Sequence, residues 1–153
     1  ETIFDMGCGH GYLIKKILEK HPTIKAAGCD LKSPKNLGDY EFFAGDLFDQ
    51  NFPDNSFDLV TCCHTLEHLI CPAKYIQELI RIAKKKLIIV VPCQKQYYYT
   101  LDEHVNFFPY KEDLTSLIGL KDFQCWKVFG DWLYIGDIAS TDESGGKIDN
   151  NVI

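Results

Sequence analysis

Near its start the chain reads Asp5-Met6-Gly7-Cys8-Gly9-His10-Gly11, and this stretch decides the predicted fold. It follows an apolar run over Thr2–Met6 and precedes residues 13–18, whose apolar side chains recur at helical spacing. Glycines at a strand-to-helix turn let the backbone bend sharply and approach a ligand closely. The next helix begins with unpaired N–H groups, which favour a carboxylate or a phosphate. The sequence therefore predicts a ligand site at this turn.

Short apolar runs alternate with amphipathic segments along the chain, which predicts βαβ units around a parallel sheet. The predicted strands are Thr2–Met6, Lys25–Asp30 and residues 41–44, 57–62, 87–91, 123–129 and 132–138, and helices are predicted at residues 73–85 and 110–118. Gly130-Asp131 between the last two strands is a hairpin signal. We therefore predict a doubly wound, Rossmann-like α/β fold with a mostly parallel sheet and a C-terminal antiparallel hairpin. Only ten residues separate the second and third strands, so the helix expected there should shrink to a turn.

The length of 153 residues suits one domain. We expect residues 1–139 to form it and the polar residues 140–153 to form a tail. Because the chain opens almost on its first strand, an N-terminal part of the domain is expected to be missing. No apolar run approaches the roughly 18–20 residues that span a bilayer, so no membrane partner is expected.

The net charge of −6 disfavours nucleic acid as a partner, because proteins that bind phosphate backbones usually present a basic face. The run Lys84, Lys85 and Lys86 is interpreted as the end of a helix, where cations suit the helix dipole. The seven cysteines form no CxxC motif, and no secretory signal precedes them. This usage favours reduced, buried thiols and a cytoplasmic location.

The glycine loop has GxGxG spacing, with Tyr12 at the sixth position, where a dinucleotide-binding GxGxxG motif has glycine. Tyrosine there would obstruct a pyrophosphate. The loop resembles the first motif of class I S-adenosylmethionine-dependent methyltransferases. The resemblance implies that Gly7, Cys8, Gly9 and Gly11 line the cofactor, with Asp5 near its ammonium group. A plain tight turn without a ligand is the alternative.

Two further acids follow predicted strands, in Cys29-Asp30-Leu31 and in Gly45-Asp46-Leu47. An acid at the end of the second strand can accept both ribose hydroxyls, in nicotinamide enzymes as well. The same resemblance implies that Asp30 and Leu31 hold the ribose end of the cofactor. It also implies that Asp46 contacts the adenine amino group and that Leu47 packs on the ring. Cys63, after the fourth strand, is likewise assigned to the cofactor.

The segment His64-Thr65-Leu66-Glu67-His68 contains HxxEH, the pattern of an inverted zinc-peptidase motif. That interpretation is rejected, because the motif needs a long helix and a third ligand, whereas this segment directly follows a parallel strand. The segment resembles instead the LEH stretch of small-molecule and sugar methyltransferases, which lies beside the reacting methyl group. If the acceptor is a hydroxyl, a base should take its proton, and neutral imidazole suits this transfer near pH 7. His68 is the first candidate, followed by His104 and His64.

A related ExxEH pattern binds a divalent metal in some O-methyltransferases, but here His64 replaces its first glutamate. No metal is therefore assigned from the sequence, and a set of His64, Glu67, His68 and His104 stays open as an alternative. Hydrogen bonding at a helix start would equally explain Glu67 and His68. His104 could simply anchor its loop.

The resemblance implies an S-adenosyl-L-methionine-dependent methyltransferase that methylates an oxygen or nitrogen atom of a small molecule. Two other functions stay open: a nicotinamide-dependent oxidoreductase and a non-catalytic module with the same fold. The GxGxG spacing disfavours the former, and the intact set of Asp5, Asp30 and Asp46 disfavours the latter.

Overall fold

The structure is a computed structural model that describes residues 1–96 and 103–138. Within them the strands are β1 Thr2–Met6, β2 Lys25–Asp30, β3 Glu41–Ala44, β4 Phe57–Cys63, β5 Ala83–Pro92, β6 Phe123–Val128 and β7 Asp131–Asp137. The α-helices are α1 Tyr12–Lys20, α2 Pro72–Ile82 and α3 Lys111–Ile118. Two short 3-10 turns cover Leu47–Asp49 and Leu66–His68. The predicted tail, residues 140–153, lies outside the described residues.

The strands form one seven-stranded sheet in the order β3-β2-β1-β4-β5-β7-β6. Strands β1 to β5 pair in parallel, and β7 runs antiparallel to both β5 and β6. The predicted α/β fold with an antiparallel C-terminal hairpin is therefore confirmed. The strand order reverses direction between β1 and β4, and ligands of open α/β sheets bind at the carboxyl ends of strands beside such a switch point.

Alternate residues of a strand point to opposite faces of the sheet, and here apolar residues on both faces pack against helices. On one face, Phe4 and Met6 of β1 belong to the main core with α2 and α3. On the other face, Ile3 packs with Ile14 of α1 in a second, smaller cluster. The apolar stripe predicted for α1 is confirmed, since Ile14 is fully buried and Ile17 and Leu18 are partly buried.

The crossover from β2 to β3 contains bends and no helix, as its ten residues predict. Tyr40, at the end of this segment, is only 7% exposed and joins the smaller cluster beside Cys8 and Ile14. A buried aromatic ring thus covers part of the face on which a crossover helix would lie.

The predicted helix over residues 73–85 was wrong at its end. Helix α2 stops at Ile82, and β5 begins at once with Ala83, which pairs with Phe57 of β4. The lysine run therefore lies in a strand and not at a helix end. Lys85 reaches Asp58 at 2.9 Å, and Lys86 pairs with Asp137. Pairing with β4 therefore outweighs the local preference for a helix. Lys85 and Lys86 interact with carboxylates of the sheet and not with a helix dipole.

Across the described ranges, no helix combines the length and the apolar character needed to cross a bilayer.

Candidate functional site

The glycine loop is fixed to the end of β2 by its own backbone. The N–H groups of Gly7 and Cys8 both donate to the carbonyl oxygen of Cys29, at 2.8 and 3.1 Å. Gly7 has φ 72°, and a Cβ added there would lie 2.0 Å from Thr65 Oγ1. Glycine is therefore required at this position by both the backbone angle and the space available.

Asp30 ties together the loops that follow β1, β2 and β3. Its Oδ2 accepts the backbone N–H of Gly9 at 2.9 Å, and its carbonyl oxygen accepts the N–H of Gly45 at 3.0 Å. Gly9 has φ 52°, and no atom of the described residues lies within 4 Å of the position a Cβ would take. The face of the loop at Gly9 is therefore open.

The carboxylate of Asp46 is held on both of its oxygens. Oδ1 accepts the N–H of Phe48 at 3.0 Å, which caps the short turn Leu47–Asp49, and Oδ2 accepts the hydroxyl of Tyr75 from α2. This hydrogen bond is the main reason why the pKa of Tyr75 rises to about 12. Asp46 is thus oriented before any ligand is present.

Asp5 lies in β1, two residues before Gly7, and is only 4% exposed. Its Oδ1 accepts the Thr61 hydroxyl at 2.6 Å. Burial raises the pKa of the Asp5 carboxyl to about 6; the Thr61 hydrogen bond opposes this shift, and the charge of Asp30 adds to it. A cation near Asp5 would favour the ionised form.

A cavity of about 380 Å³ opens at the carboxyl ends of β1, β2, β3 and β4. Its lining combines the glycine loop, the two strand-end acids and the start of the histidine segment. The lining residues are Met6, Gly7, Cys29, Asp30, Leu31, Gly45, Asp46, Leu47, His64, Thr65, His68, Leu69 and Tyr75. The structure therefore brings Asp30 and Asp46 to the same opening as the glycine loop.

Several predicted site residues do not line the cavity. They are Asp5, Cys8, Gly9, Gly11, Cys63 and His104. Cys8 packs in the smaller core cluster, and burial raises the pKa of both the Cys8 and the Cys63 thiols to about 12. These two residues therefore support the cavity wall as neutral thiols. Gly11 takes a left-handed angle at the start of α1, where a Cβ would collide with the ring of Tyr40.

The side chain of His64 lies between two carboxylates. Its Nδ1 is 3.5 Å from Glu67 Oε1, and its Nε2 is 3.3 Å from Asp131 Oδ2 in the C-terminal hairpin. The backbone of His64 has φ 51°, an angle that few residues other than glycine adopt. In this arrangement both ring nitrogens of His64 face carboxylate oxygens.

His68 and His104 lie against each other, with ring centroids 4.8 Å apart. His68 Nδ1 is 3.3 Å from the carbonyl oxygen of Glu103, and His104 Nδ1 is 2.6 Å from Gln94 Oε1. Because a carbonyl oxygen only accepts, these contacts place the proton on Nδ1 and the lone pair on Nε2 in the neutral ring. His68 thus presents a nitrogen suited to accept a proton, beside the cavity.

Glu67 is fully buried, and neither of its carboxylate oxygens has a hydrogen-bond partner among the described residues. Its carbonyl oxygen accepts the N–H groups of Val105 and Asn106, at 2.8 and 3.0 Å. The Asn106 amide also donates to the carbonyl oxygens of Leu66 and Leu69. The segment that carries His104 is thereby fastened to the turn that carries Glu67 and His68.

One ligand atom from each of Glu67, His68 and His104 lies within 4.8 Å of the other two. Three members of the four-residue set from the sequence thus come together, while His64 turns towards Asp131. The turn Leu66–His68 is a single turn of 3-10 helix, unlike the long helix of a zinc peptidase.

The sequence assigns no functional role to Tyr75, Asp131, Thr65 or Asn106, although each makes a contact at or near the site. Helical spacing could have placed Tyr75 on the face of α2 towards the sheet, but no local pattern predicts its contact with Asp46.

Residues 4–91 match the family described as a methyltransferase domain, and the chain belongs to this family. It is 29% identical over 103 residues to ajmaline N-methyltransferase from Rauvolfia serpentina, covering 59% of this chain and 35% of that protein. It is 32% identical over 108 residues to a chloroplastic tocopherol O-methyltransferase from Arabidopsis thaliana, covering 62% and 31%. The chain spans about a third of the length of these curated relatives.

The fold is also similar to a solved structure of an O-methyltransferase family protein from Burkholderia thailandensis. The TM-score is 0.74 at 19% identity, over 93% of this chain and 52% of that chain. This likeness supports the fold.

Proposed function

We propose that this protein is an S-adenosyl-L-methionine-dependent methyltransferase that methylates an oxygen or nitrogen atom of a small molecule. One observation carries the proposal: the cavity of about 380 Å³ is lined by the glycine loop and by both strand-end acids, Asp30 and Asp46. The relatives named for N- and O-methylation of ajmaline and tocopherol support a small acceptor.

We assign the cofactor to the side of the cavity formed by β1, β2 and β3. The loop at Gly7, Gly9 and Gly11 would surround its amino-carboxypropyl group. Asp30 would accept the ribose hydroxyls beside Leu31. Asp46 would accept the adenine amino group while Leu47 packs on the ring.

Asp5 supplies the negative charge for the ammonium group of the cofactor in this proposal. The carboxyl is buried two residues before Gly7, and its pKa of about 6 lets it ionise at neutral pH. Cys8 and Cys63 are assigned to the supporting wall of the same pocket.

When bound, S-adenosyl-L-methionine supplies an electrophilic methyl group on a positively charged sulfur. A lone pair of the acceptor forms the new bond to the methyl carbon as the carbon–sulfur bond breaks. The electron pair of the broken bond stays on the sulfur, which becomes neutral. The protein must align the two reactants and exclude water. A hydroxyl acceptor must also lose a proton, for which His68 Nε2 is our first candidate, before His104 and His64.

Calorimetry with S-adenosylhomocysteine and, separately, with NAD tests the cofactor class. We expect S-adenosylhomocysteine to bind with 1:1 stoichiometry and NAD to give no heat above dilution. Binding of NAD alone would point to an oxidoreductase, and binding of neither ligand would contradict the proposed cofactor.

Transfer of a labelled methyl group from S-adenosyl-L-methionine to a panel of phenols and amines tests the reaction. His68→Ala should lower turnover of a hydroxyl acceptor by about 10² or more while S-adenosylhomocysteine still binds. Full turnover by His68→Ala would remove it as the base. Cofactor binding without transfer to any acceptor would favour a non-catalytic module.

We also propose a cytoplasmic location and no nucleic-acid partner. All seven cysteines are free thiols in the structure, which suits a reducing compartment. The net charge of −6 gives the chain no excess of cations for a phosphate backbone. Fractionation of cells that make the full-length protein would check the location.

A further inference from the structure

We propose that Glu67, His68 and His104 together bind one divalent transition-metal ion at the edge of the cavity. Their ligand atoms all lie within 4.8 Å of one another. Two ligands of one ion lie about 3 to 4 Å apart when each bond is about 2.1 Å long. Limited rotation of these side chains would therefore bring all three onto a single ion.

The carboxylate of Glu67 is the strongest argument for a cation. It is 0% exposed, and neither oxygen has a hydrogen-bond partner among the described residues. An ionised carboxylate in such surroundings is strongly unfavourable unless a cation or several donors compensate it. His64 Nδ1 lies 3.5 Å from Oε1, too far for a good hydrogen bond. A bound ion would supply the missing charge directly.

The two imidazoles are already oriented as metal ligands usually are. A ligating histidine donates its second ring N–H to an oxygen, which fixes the ring and leaves the other nitrogen to the metal. His68 Nδ1 lies 3.3 Å from the carbonyl oxygen of Glu103, and His104 Nδ1 lies 2.6 Å from Gln94 Oε1. Both rings therefore direct their lone pair through Nε2.

The backbone holds the three groups in place independently of any ion. The N–H groups of Val105 and Asn106 both donate to the Glu67 carbonyl oxygen, and the Asn106 amide donates to Leu66 and Leu69. His104 is thus fixed against the Glu67–His68 turn although it comes from a different segment.

The donor set selects the class of ion. One carboxylate oxygen and two imidazole nitrogens suit Mn²⁺, Fe²⁺, Co²⁺ or Zn²⁺, whereas Mg²⁺ and Ca²⁺ prefer oxygen ligands. Three protein ligands leave coordination positions open. His64 would remain outside this set, between Glu67 and Asp131.

The catalytic consequence rests on the proposed function. His68 lines the cavity, so an ion at this cluster would lie where an acceptor oxygen could complete its coordination. Coordination lowers the pKa of a bound hydroxyl, and its proton would pass to solvent. His68 would then serve as a ligand, and the role of base assigned to it above would apply to the metal-free protein alone.

Titration of the metal-stripped protein with Co²⁺, followed by visible absorption, tests the site itself. We expect one Co²⁺ per chain. Glu67→Gln preserves the size of the side chain and should weaken binding at least tenfold, as should His104→Asn. The matched control is His21→Asn, which changes an exposed histidine after α1 and should bind Co²⁺ like the unchanged protein. Equimolar Mg²⁺ should not displace Co²⁺.

Absence of stoichiometric Co²⁺ binding would overturn the proposal, as would unaltered binding in both Glu67→Gln and His104→Asn. Displacement by equimolar Mg²⁺ would overturn the assigned class of ion. Thermal melts identify a variant that fails to fold, in which case the other variant decides. Calorimetry with S-adenosylhomocysteine on the same samples separates the two proposals. Absence of S-adenosylhomocysteine binding would contradict the cofactor assignment, whereas absence of Co²⁺ binding alone would contradict the metal site.

Discussion

Gly9 donates its backbone N–H to Asp30 Oδ2 at 2.9 Å, so the glycine loop and the acid at the end of β2 form one unit without a ligand. The same carboxylate keeps Oδ1 3.4 Å from the N–H of Lys32. Because its position is fixed on two sides, Asp30 loses little side-chain freedom when a ligand binds. Fixed groups of this kind increase affinity by reducing the ordering cost.

Replacing Asp30 should therefore weaken the proposed cofactor site directly. We expect Asp30→Ala to lower the affinity for S-adenosylhomocysteine by about 10- to 100-fold, because the ribose acceptors and the Gly9 anchor are lost together. Asp30→Asn, which keeps one acceptor oxygen, should lose less. Isothermal calorimetry measures both. Asp39→Asn is the matched control, since Asp39 is exposed and does not line the cavity. Equal affinity in Asp30→Ala and the control would remove Asp30 from the site.

Two glycines of the loop should respond differently to alanine. At Gly7, alanine combines a left-handed angle with a Cβ 2.0 Å from Thr65 Oγ1, so we expect a loss of about 3 kcal/mol or more in the free energy of unfolding. At Gly9 the described residues leave room for a Cβ and the angle remains unfavourable, so about 1 kcal/mol is expected. Urea denaturation compares the two variants. A larger loss at Gly9 than at Gly7 would show that the loop is packed differently.

Most of the fold could be predicted from local pattern. The strands Thr2–Met6 and Lys25–Asp30 agree with the structure at both ends, because each apolar run stops at a clear turn signal. The end of α2 could not be predicted in this way. Local composition lets a helix continue through Lys85, and only the pairing of Ala83 with Phe57 and of Lys86 with Leu59 selects the strand.

The site was predictable only where its residues follow strands in sequence. Asp30 and Asp46 reach one cavity because parallel strands align their carboxyl ends. Tyr75 and Asp131 reach the site from a helix and from the hairpin, and their contacts with Asp46 and His64 depend on tertiary packing. The spacing of residues in the sequence does not predict these two contacts.

The Tyr75 hydroxyl should matter because it orients Asp46. Tyr75→Phe removes the hydrogen bond to Asp46 Oδ2 and keeps the ring that packs near Phe48. We expect the affinity for S-adenosylhomocysteine to fall about three- to tenfold, the equivalent of one ordinary hydrogen bond. Calorimetry on Tyr75→Phe and on the control Tyr12→Phe, which changes an exposed ring, makes the comparison. Unaltered affinity in Tyr75→Phe would mean that the capping bond from Phe48 orients Asp46 by itself.

Asp5 should make the protein less stable as the pH rises through the acidic range. Burial raises the pKa of Asp5 from 3.8 to about 6, so the folded state binds more protons than the unfolded state between these values. Stability contributed by this group therefore falls from pH 3.8 to 6 and then levels off. Asp5→Asn keeps an acceptor for Thr61 and carries no buried charge. At pH 7.5 its free energy of unfolding should be about 1 to 3 kcal/mol higher than that of the unchanged protein, so the variant is more stable. The difference should vanish near pH 4, and a constant difference across this range would contradict the assignment.

The same carboxyl should make ligand affinity depend on pH. The ammonium group of S-adenosylhomocysteine stays charged between pH 5 and 7, so its attraction to Asp5 requires the ionised carboxylate. In the ligand-free protein, Asp5 becomes protonated as the pH falls below about 6. Affinity should therefore decline by up to about tenfold per pH unit below that value, because binding the ligand releases the Asp5 proton to the buffer. Calorimetry in two buffers of different ionisation enthalpy measures both quantities, and Asp5→Asn should flatten the profile. A profile that stays equally steep in Asp5→Asn would assign the titration to another group and separate Asp5 from the ammonium site.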